Sequence, residues 1–165
     1  MEIQVRHAEP EDYKALHTIY AGPKVVWGTL QLPFASAEKQ RKRLAEPREG
    51  SYVLVACIEG EVIGHLHLET FPNSPRRKHV GHIGMGVHDD WQGKGVGIAL
   101  LEAAVNFADK WLNLTRIELS VFIDNQPGIR LYEKFGFEIE GRLKQFAFRD
   151  GQFVDVYFMG RITHE

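Results

Sequence analysis

The sequence predicts one mixed α/β (α+β) domain spanning residues 1–165, in the order β-α-α-β-β-β-α-β-α-β-β. Three observations predict it. First, two strand-like runs, 79–88 and 116–123, flank a stretch whose apolar residues recur at helical spacing. Such a β-α-β unit gives a parallel strand pair joined by a right-handed crossover. Second, short turn sequences, Glu59-Gly60-Glu61 and Arg149-Asp150-Gly151, join strand-like runs elsewhere and signal antiparallel hairpins. Third, a 165-residue chain that is 44% apolar and 25% charged has the size and composition of one self-sufficient core. Strict β-α alternation is missing, so a doubly wound sheet is excluded, and the helical segments exclude an all-β barrel.

Each element has its own local reason. Ile3-Gln4-Val5-Arg6 alternates and reads as a short strand. Pro10 suits a first helical turn, and Tyr13, Leu16, Ile19 and Tyr20 share one face until Gly22-Pro23 ends the helix. Residues 24–35 read as irregular, with Trp27, Leu30, Leu32 and Phe34 adding apolar weight. Ser36 reads as the cap of a charged surface helix that Pro47 stops. Residues 51–59 and 62–70 are rich in Val, Ile and Leu and form two strands, and Pro72-Asn73-Ser74-Pro75 breaks the chain before the third, 79–88. Ile98, Leu101, Val105, Ala108 and Leu112 mark a helix over 97–112, and Arg116 to Ile123 alternate as a strand. A short helix from Pro127 ends at Gly136, and strands 137–148 and 152–162 complete the chain.

Composition narrows the function classes. The formal net charge is −2, which argues against nucleic-acid binding through global charge. The single cysteine, Cys57, cannot form an internal disulfide and lies in an apolar run, where a buried thiol is expected. The N-terminal residues lack a signal-peptide core, and no run approaches the ~18 apolar residues of a membrane span. A cytoplasmic protein that binds no membrane is expected.

The sharpest local feature is Gln92-Gly93-Lys94-Gly95-Val96-Gly97, between a strand and a helix. A helix start leaves about four N–H groups unpaired and carries partial positive charge, and glycines let an anion approach the backbone. The segment therefore reads as a phosphate or pyrophosphate site. It is neither a P-loop, since Lys94 precedes Gly95, nor a dinucleotide fingerprint, since Ile98 or Leu100 falls where the third glycine belongs.

This Gln-x-x-Gly-x-Gly pattern resembles the acyl-CoA loop of the GNAT acetyltransferase superfamily. A second block, Asn125-Gln126-Pro127-Gly128-Ile129-Arg130-Leu131-Tyr132-Glu133-Lys134-Phe135-Gly136-Phe137, is similar to the family's Asn-x-x-Ala-x-x-Leu-Tyr-x-Lys-x-Gly-Phe segment. Gly128 replaces the usual alanine, a small change in size. The element order also matches the GNAT fold, and the whole chain resembles bacterial amino-acid N-acetyltransferases.

The resemblance implies a fold, a reaction and a site. The strands at 82–88 and 116–123 would splay, and the pantetheine arm of acetyl-CoA would fill the wedge along Met85, Gly86 and Val87. Gln92, Gly93, Lys94, Gly95, Val96 and Gly97 would hold the pyrophosphate, and Asn125 would touch the pantetheine arm. Tyr132 matches the general acid that protonates the departing thiolate. The position of the base used by some members is Ser120 here, which cannot serve. Glu118, on the same strand face, is the first choice of base and His82 the second. The Val87 N–H is placed to donate to the thioester oxygen. The implied reaction is direct acetyl transfer to a primary amine, with free amino acids favoured and protein N-termini or a non-catalytic acyl-CoA sensor as alternatives.

Other groupings have plainer readings. His65, His67 and Glu69 alternate on one strand face, which reads as a polar face lining the acceptor pocket rather than a metal site, so no metal is expected. Arg76-Arg77-Lys78 reads as a solvated loop, with the CoA 3′-phosphate or an acidic acceptor as the sharper alternative. Tyr20, Trp27 and Phe34 read as plain core or as the wall of an acceptor pocket, and the C-terminal edge strand allows a homodimer.

Overall fold

The computed structural model describes residues 1–163. Strands β1 (Gln4–His7), β2 (Ser51–Ile58), β3 (Glu61–Thr70), β4 (Val80–Val87), β5 (Arg116–Phe122), β6 (Glu138–Arg149) and β7 (Gln152–Ile162) form one seven-stranded sheet. Its order is β1-β2-β3-β4-β5-β7-β6, antiparallel throughout except for the parallel pair β4–β5. The helices are α1 (Tyr13–Ala21), α2 (Pro23–Gly28), α3 (Ala37–Ala45), α4 (Val96–Lys110) and α5 (Gln126–Lys134). Among the described residues no helix is long and apolar enough to cross a membrane.

Strand alternation divides the core in two. On β2, Val55 and Cys57 join Leu16, Ile19 and Tyr20 of α1 and Leu44 of α3, while Ala56 and Ile58 join Leu100, Leu101 and Ala104 of α4. Cys57 is a buried free thiol within the first cluster.

One expected loop is partly a helix. Residues 24–28, part of the stretch 24–35 read from sequence as irregular, belong to α2. Pro23 occupies its first turn, and the Asp89 carboxylate accepts the N–H groups of Lys24 at 3.1 Å and Val25 at 3.3 Å. That cap arrives from far along the chain, so local sequence does not announce it. Ser36 precedes α3 as expected, but its side chain makes no capping hydrogen bond. The helix is mostly exposed, and Gln40 and Leu44 are its buried residues.

The feature that positions the site is the parting of β4 from β5. They pair only at Val80–Arg116, Gly81–Ile117 and His82–Glu118. Beyond that point each follows its outer neighbour: β4 stays paired with β3 as far as Val87–Gly64, and β5 with β7 as far as Phe122–Val156. The inner edges past His82 and Glu118 are left without each other's hydrogen bonds. Backbone polar groups in an interior require partners, so this wedge is built to receive something polar and extended.

Candidate active site

A cavity of about 870 Å³ opens at the wedge. Met85, Gly86 and Val87 of β4 line it, as do Gln92, Gly93, Gly95 and Gly97 of the glycine loop and Asn125 and Tyr132 from the second block. Two loop residues lie outside the lining. Val96, the first residue of α4, is buried in the core, and Lys94 extends its ammonium over the Trp91 ring at 5.2 Å.

A short turn, Asp89–Trp91, separates β4 from the loop. Gln92 donates from its side-chain amide to the Val87 carbonyl at 3.1 Å, which ties the loop to the strand end. Gly93 and Gly95 have φ of +74° and +87°, and a Cβ on either would meet nothing within 4 Å. The left-handed backbone needs glycine at both positions, and the open space lies beside the start of α4, where an anion is favoured. Lys24, Arg130 and Lys134 also line the cavity and add positive charge. The residues present thus fit a ligand that carries phosphates at one end and a narrow polar arm at the other.

Asn125 sits at the N-cap of α5, where its Oδ1 accepts the Gly128 N–H at 3.0 Å. A Cβ at position 128 would lie 2.6 Å from Asn125 Nδ2. An alanine there would require the Asn125 amide to shift from this rotamer. Tyr132 packs edge-on to Phe137, and burial pushes its phenol up to about 12. At neutral pH it is a hydroxyl donor.

His82 and Glu118 face each other as the last parallel pair, but neither lines the cavity. Glu118 is bound by Arg77 Nη2 and Arg116 Nε, each at 3.1 Å, and Arg116 also forks onto Glu140. Arg77, read from sequence as part of a solvated loop, thus has a specific partner and stacks over Phe71. His82 makes no side-chain hydrogen bond among the described residues.

The histidine face of β3 is held from below. His65 is buried, and its Nδ1 is hydrogen-bonded to the Tyr20 hydroxyl. Burial keeps the imidazole well below its usual range and raises the phenol. His67 lies over Gly84, and Tyr20 lies over Gly86, so these two of the three glycines on β4 make room for the rings. Tyr20 is therefore part of the core floor and does not line the cavity. Phe34 is fully exposed, whereas Trp27 does line the cavity. Among the described residues no cluster of His, Cys, Asp or Glu is arranged to hold a metal ion.

The sequence reading missed most of one wall, the segment Pro23–Thr29, together with Asp124 and the basic pair Arg130 and Lys134. The basic pair had a signal, since residues four apart on a helix share a face. Asp124 had none beyond its place next to Asn125.

The sequence profile of the acetyltransferase (GNAT) family matches residues 13–137. The chain belongs to the GNAT acetyltransferase family. It is 47% identical over 161 residues to the L-amino acid N-acetyltransferase AaaT of Escherichia coli K12, covering 98% of each chain. It is 30% identical to the L-methionine sulfoximine/L-methionine sulfone acetyltransferase of Pseudomonas paraeruginosa, covering 96% of this chain and 94% of that one. Among solved structures, the GNAT superfamily phosphinothricin acetyltransferase of Sinorhizobium meliloti in complex with acetyl-CoA superposes with a TM-score of 0.86 at 25% identity. That match covers 98% of this chain and 89% of the other. The chain is a GNAT enzyme that transfers an acetyl group to an amine, and the mixed sheet with one parallel, parting strand pair is the GNAT fold.

Proposed function

We propose that this GNAT enzyme transfers the acetyl group of acetyl-CoA to the α-amine of a free L-amino acid by direct attack within a ternary complex. The observation that carries the acceptor is the near-full-length similarity to the Escherichia coli L-amino acid N-acetyltransferase. The cavity supports the donor. Gln92 to Gly97 offer backbone N–H groups to the pyrophosphate, and the free edge of Met85, Gly86 and Val87 pairs with the pantetheine arm. Asn125 fixes the turn into α5 and faces the same arm.

When bound, acetyl-CoA supplies an activated acyl group and a thiolate leaving group. Tyr132 holds its proton at neutral pH and gives it to that thiolate. The Val87 N–H donates toward the oxygen that gains charge during attack. Of the two proposed bases, Glu118 has its carboxylate engaged by Arg77 and Arg116, while His82 has no such partner among the described residues. His82 is therefore the freer of the two to take up the amine proton, through water. Cys57, buried beneath α1, is remote from any nucleophilic role.

A homodimer and a cytoplasmic location suit this reading. Strand β6 is a free sheet edge, and Phe146, Phe148 and Phe153 are exposed on its hairpin. Phe148→Glu should then convert a dimer to a monomer in light scattering, and a wild-type monomer would refute the dimer.

The deciding experiment is free-thiol release from acetyl-CoA against L-amino acids, polyamines, aminoglycosides and peptides with free N-termini. Turnover with L-amino acids is expected. Preference for peptides would move the acceptor to protein N-termini, and tight CoA binding without turnover on any amine would make the protein a sensor.

A further inference from the structure

Arg149 lies at the tip of the β6–β7 hairpin, yet its side chain is only 13% exposed. It reaches away from its own strands to two other parts of the chain. Its guanidinium forks onto the Asp124 carboxylate, and Nη1 also donates to the Trp27 carbonyl at 3.2 Å. Its plane stacks on the Trp27 ring at 3.9 Å and lies 5.0 Å from the centre of the Phe122 ring. Its Nε is enclosed and has no hydrogen-bond partner.

These contacts join three segments distant in sequence: the end of α2, the β5–α5 junction and the hairpin tip. Trp27 and Asp124 both line the cavity. None of its hydrogen bonds or ring contacts among the described residues goes to the glycine loop or α4. A buried donor left unpaired is costly, and a shorter or simpler side chain would avoid that cost. What the guanidinium does instead needs its planar fork and its flat face together, and lysine supplies neither.

We propose that Arg149 is a positioning residue that clamps the Trp27 and Asp124 walls together and so shapes the acceptor end of the cleft. The role deepens the reading of the protein as an amine acetyltransferase and rests on it. Loosening the clamp moves the wall that meets the amine and leaves the glycine loop, which meets the donor, where it was. The expected signature is a split in the two Michaelis constants.

The test compares wild type, Arg149→Gln and Arg149→Lys in steady-state kinetics with both substrates varied. The acceptor KM should rise roughly tenfold or more, with the acetyl-CoA KM within about twofold of wild type. Arg149→Lys should restore little of the loss. Equal rises in both KM values, an unchanged acceptor KM, or full rescue by lysine would each overturn the proposal. Trp27→Ala, which removes the stacking face and keeps the ion pair, should shift the acceptor KM in the same direction even where an Arg149 variant folds poorly. Amide hydrogen exchange supplies a readout that needs no turnover. In Arg149→Gln, residues 24–30 and 145–153 should exchange faster together, and faster exchange confined to the hairpin would refute the clamp. A wild type that acetylates no amine would refute the function, and exchange would then decide the clamp alone.

Discussion

The Asp89 carboxylate caps α2 by accepting the backbone N–H groups of Lys24 and Val25, 65 and 64 residues away in sequence. It also fills the space beside Gly22, where a Cβ would come within 2.7 Å of Asp89 Oδ1. One side chain thus ties a wall of the cavity to the turn that leads into the glycine loop. Asp89→Ala should cost about 0.5–2 kcal/mol of stability, the usual value of a lost cap. Because α2 carries Trp27, the same change should raise the acceptor KM. Urea unfolding and steady-state kinetics check the two effects, and a variant unchanged in both would show that the cap is dispensable.

Tyr132→Phe removes a hydroxyl and little else. If Tyr132 supplies the proton to the thiolate, kcat should fall by about 10²-fold or more, with acetyl-CoA affinity nearly intact. Its phenol is pushed up to about 12, so the wild-type rate should show no decline attributable to it up to about pH 10. A Phe variant with wild-type turnover would remove Tyr132 from the chemistry.

Gly95→Ala places a Cβ on a residue with φ of +87°. The strain should cost about 1–2 kcal/mol. The added methyl group also enters the open space assigned to the pyrophosphate. The acetyl-CoA KM should rise while the acceptor KM stays close to wild type, the reverse of the pattern expected at Arg149. A variant that loses stability but keeps its acetyl-CoA KM would place the phosphates elsewhere.

His65 and His67 give the stability a defined pH dependence. Burial keeps both imidazoles neutral in the folded protein and pushes His67 down to about 4. In the unfolded chain they titrate near 6.5. As pH falls below about 6.5 the unfolded state takes up protons that the folded state refuses, so stability is present above that pH and lost toward about 4. The loss attributable to His67 should be about 1–3 kcal/mol. Asp12 and Asp109, held low by Arg6 and Arg161, should add a second loss at still lower pH, as their folded forms protonate. Urea midpoints at pH 7.5, 6 and 5 measure the first loss, and His67→Gln should flatten it. A wild-type midpoint constant over that range would contradict the assignment.

Much of the site was legible in the sequence because its signals are local. The glycine loop announces itself by residues that only a left-handed backbone and a helix start require together. The second block singles out Asn125 and Tyr132 through its resemblance to the GNAT segment, and its cap and its stop at Gly136 are nearest-neighbour effects. The close approach of the Asn125 amide to Gly128 was not legible, because it depends on the rotamer of Asn125.

The sequence by itself determined the seven strands and four of the five helices, the two hairpins, the parallel pair and the family, since each follows from periodicity, turn residues or contiguous motifs. Only the tertiary structure decided which side chains meet. It showed that residues 23–28 are helical because Asp89 caps them, that Glu118 is held by Arg77 and Arg116, and that Tyr20 belongs to the floor beneath β4. It also placed Arg149 against Trp27, 122 residues away. The physical reason is range. Backbone preferences act over a few residues and leave a periodic trace, whereas an ion pair, a distant cap or a stacked ring is chosen by packing among groups that sequence order does not bring together.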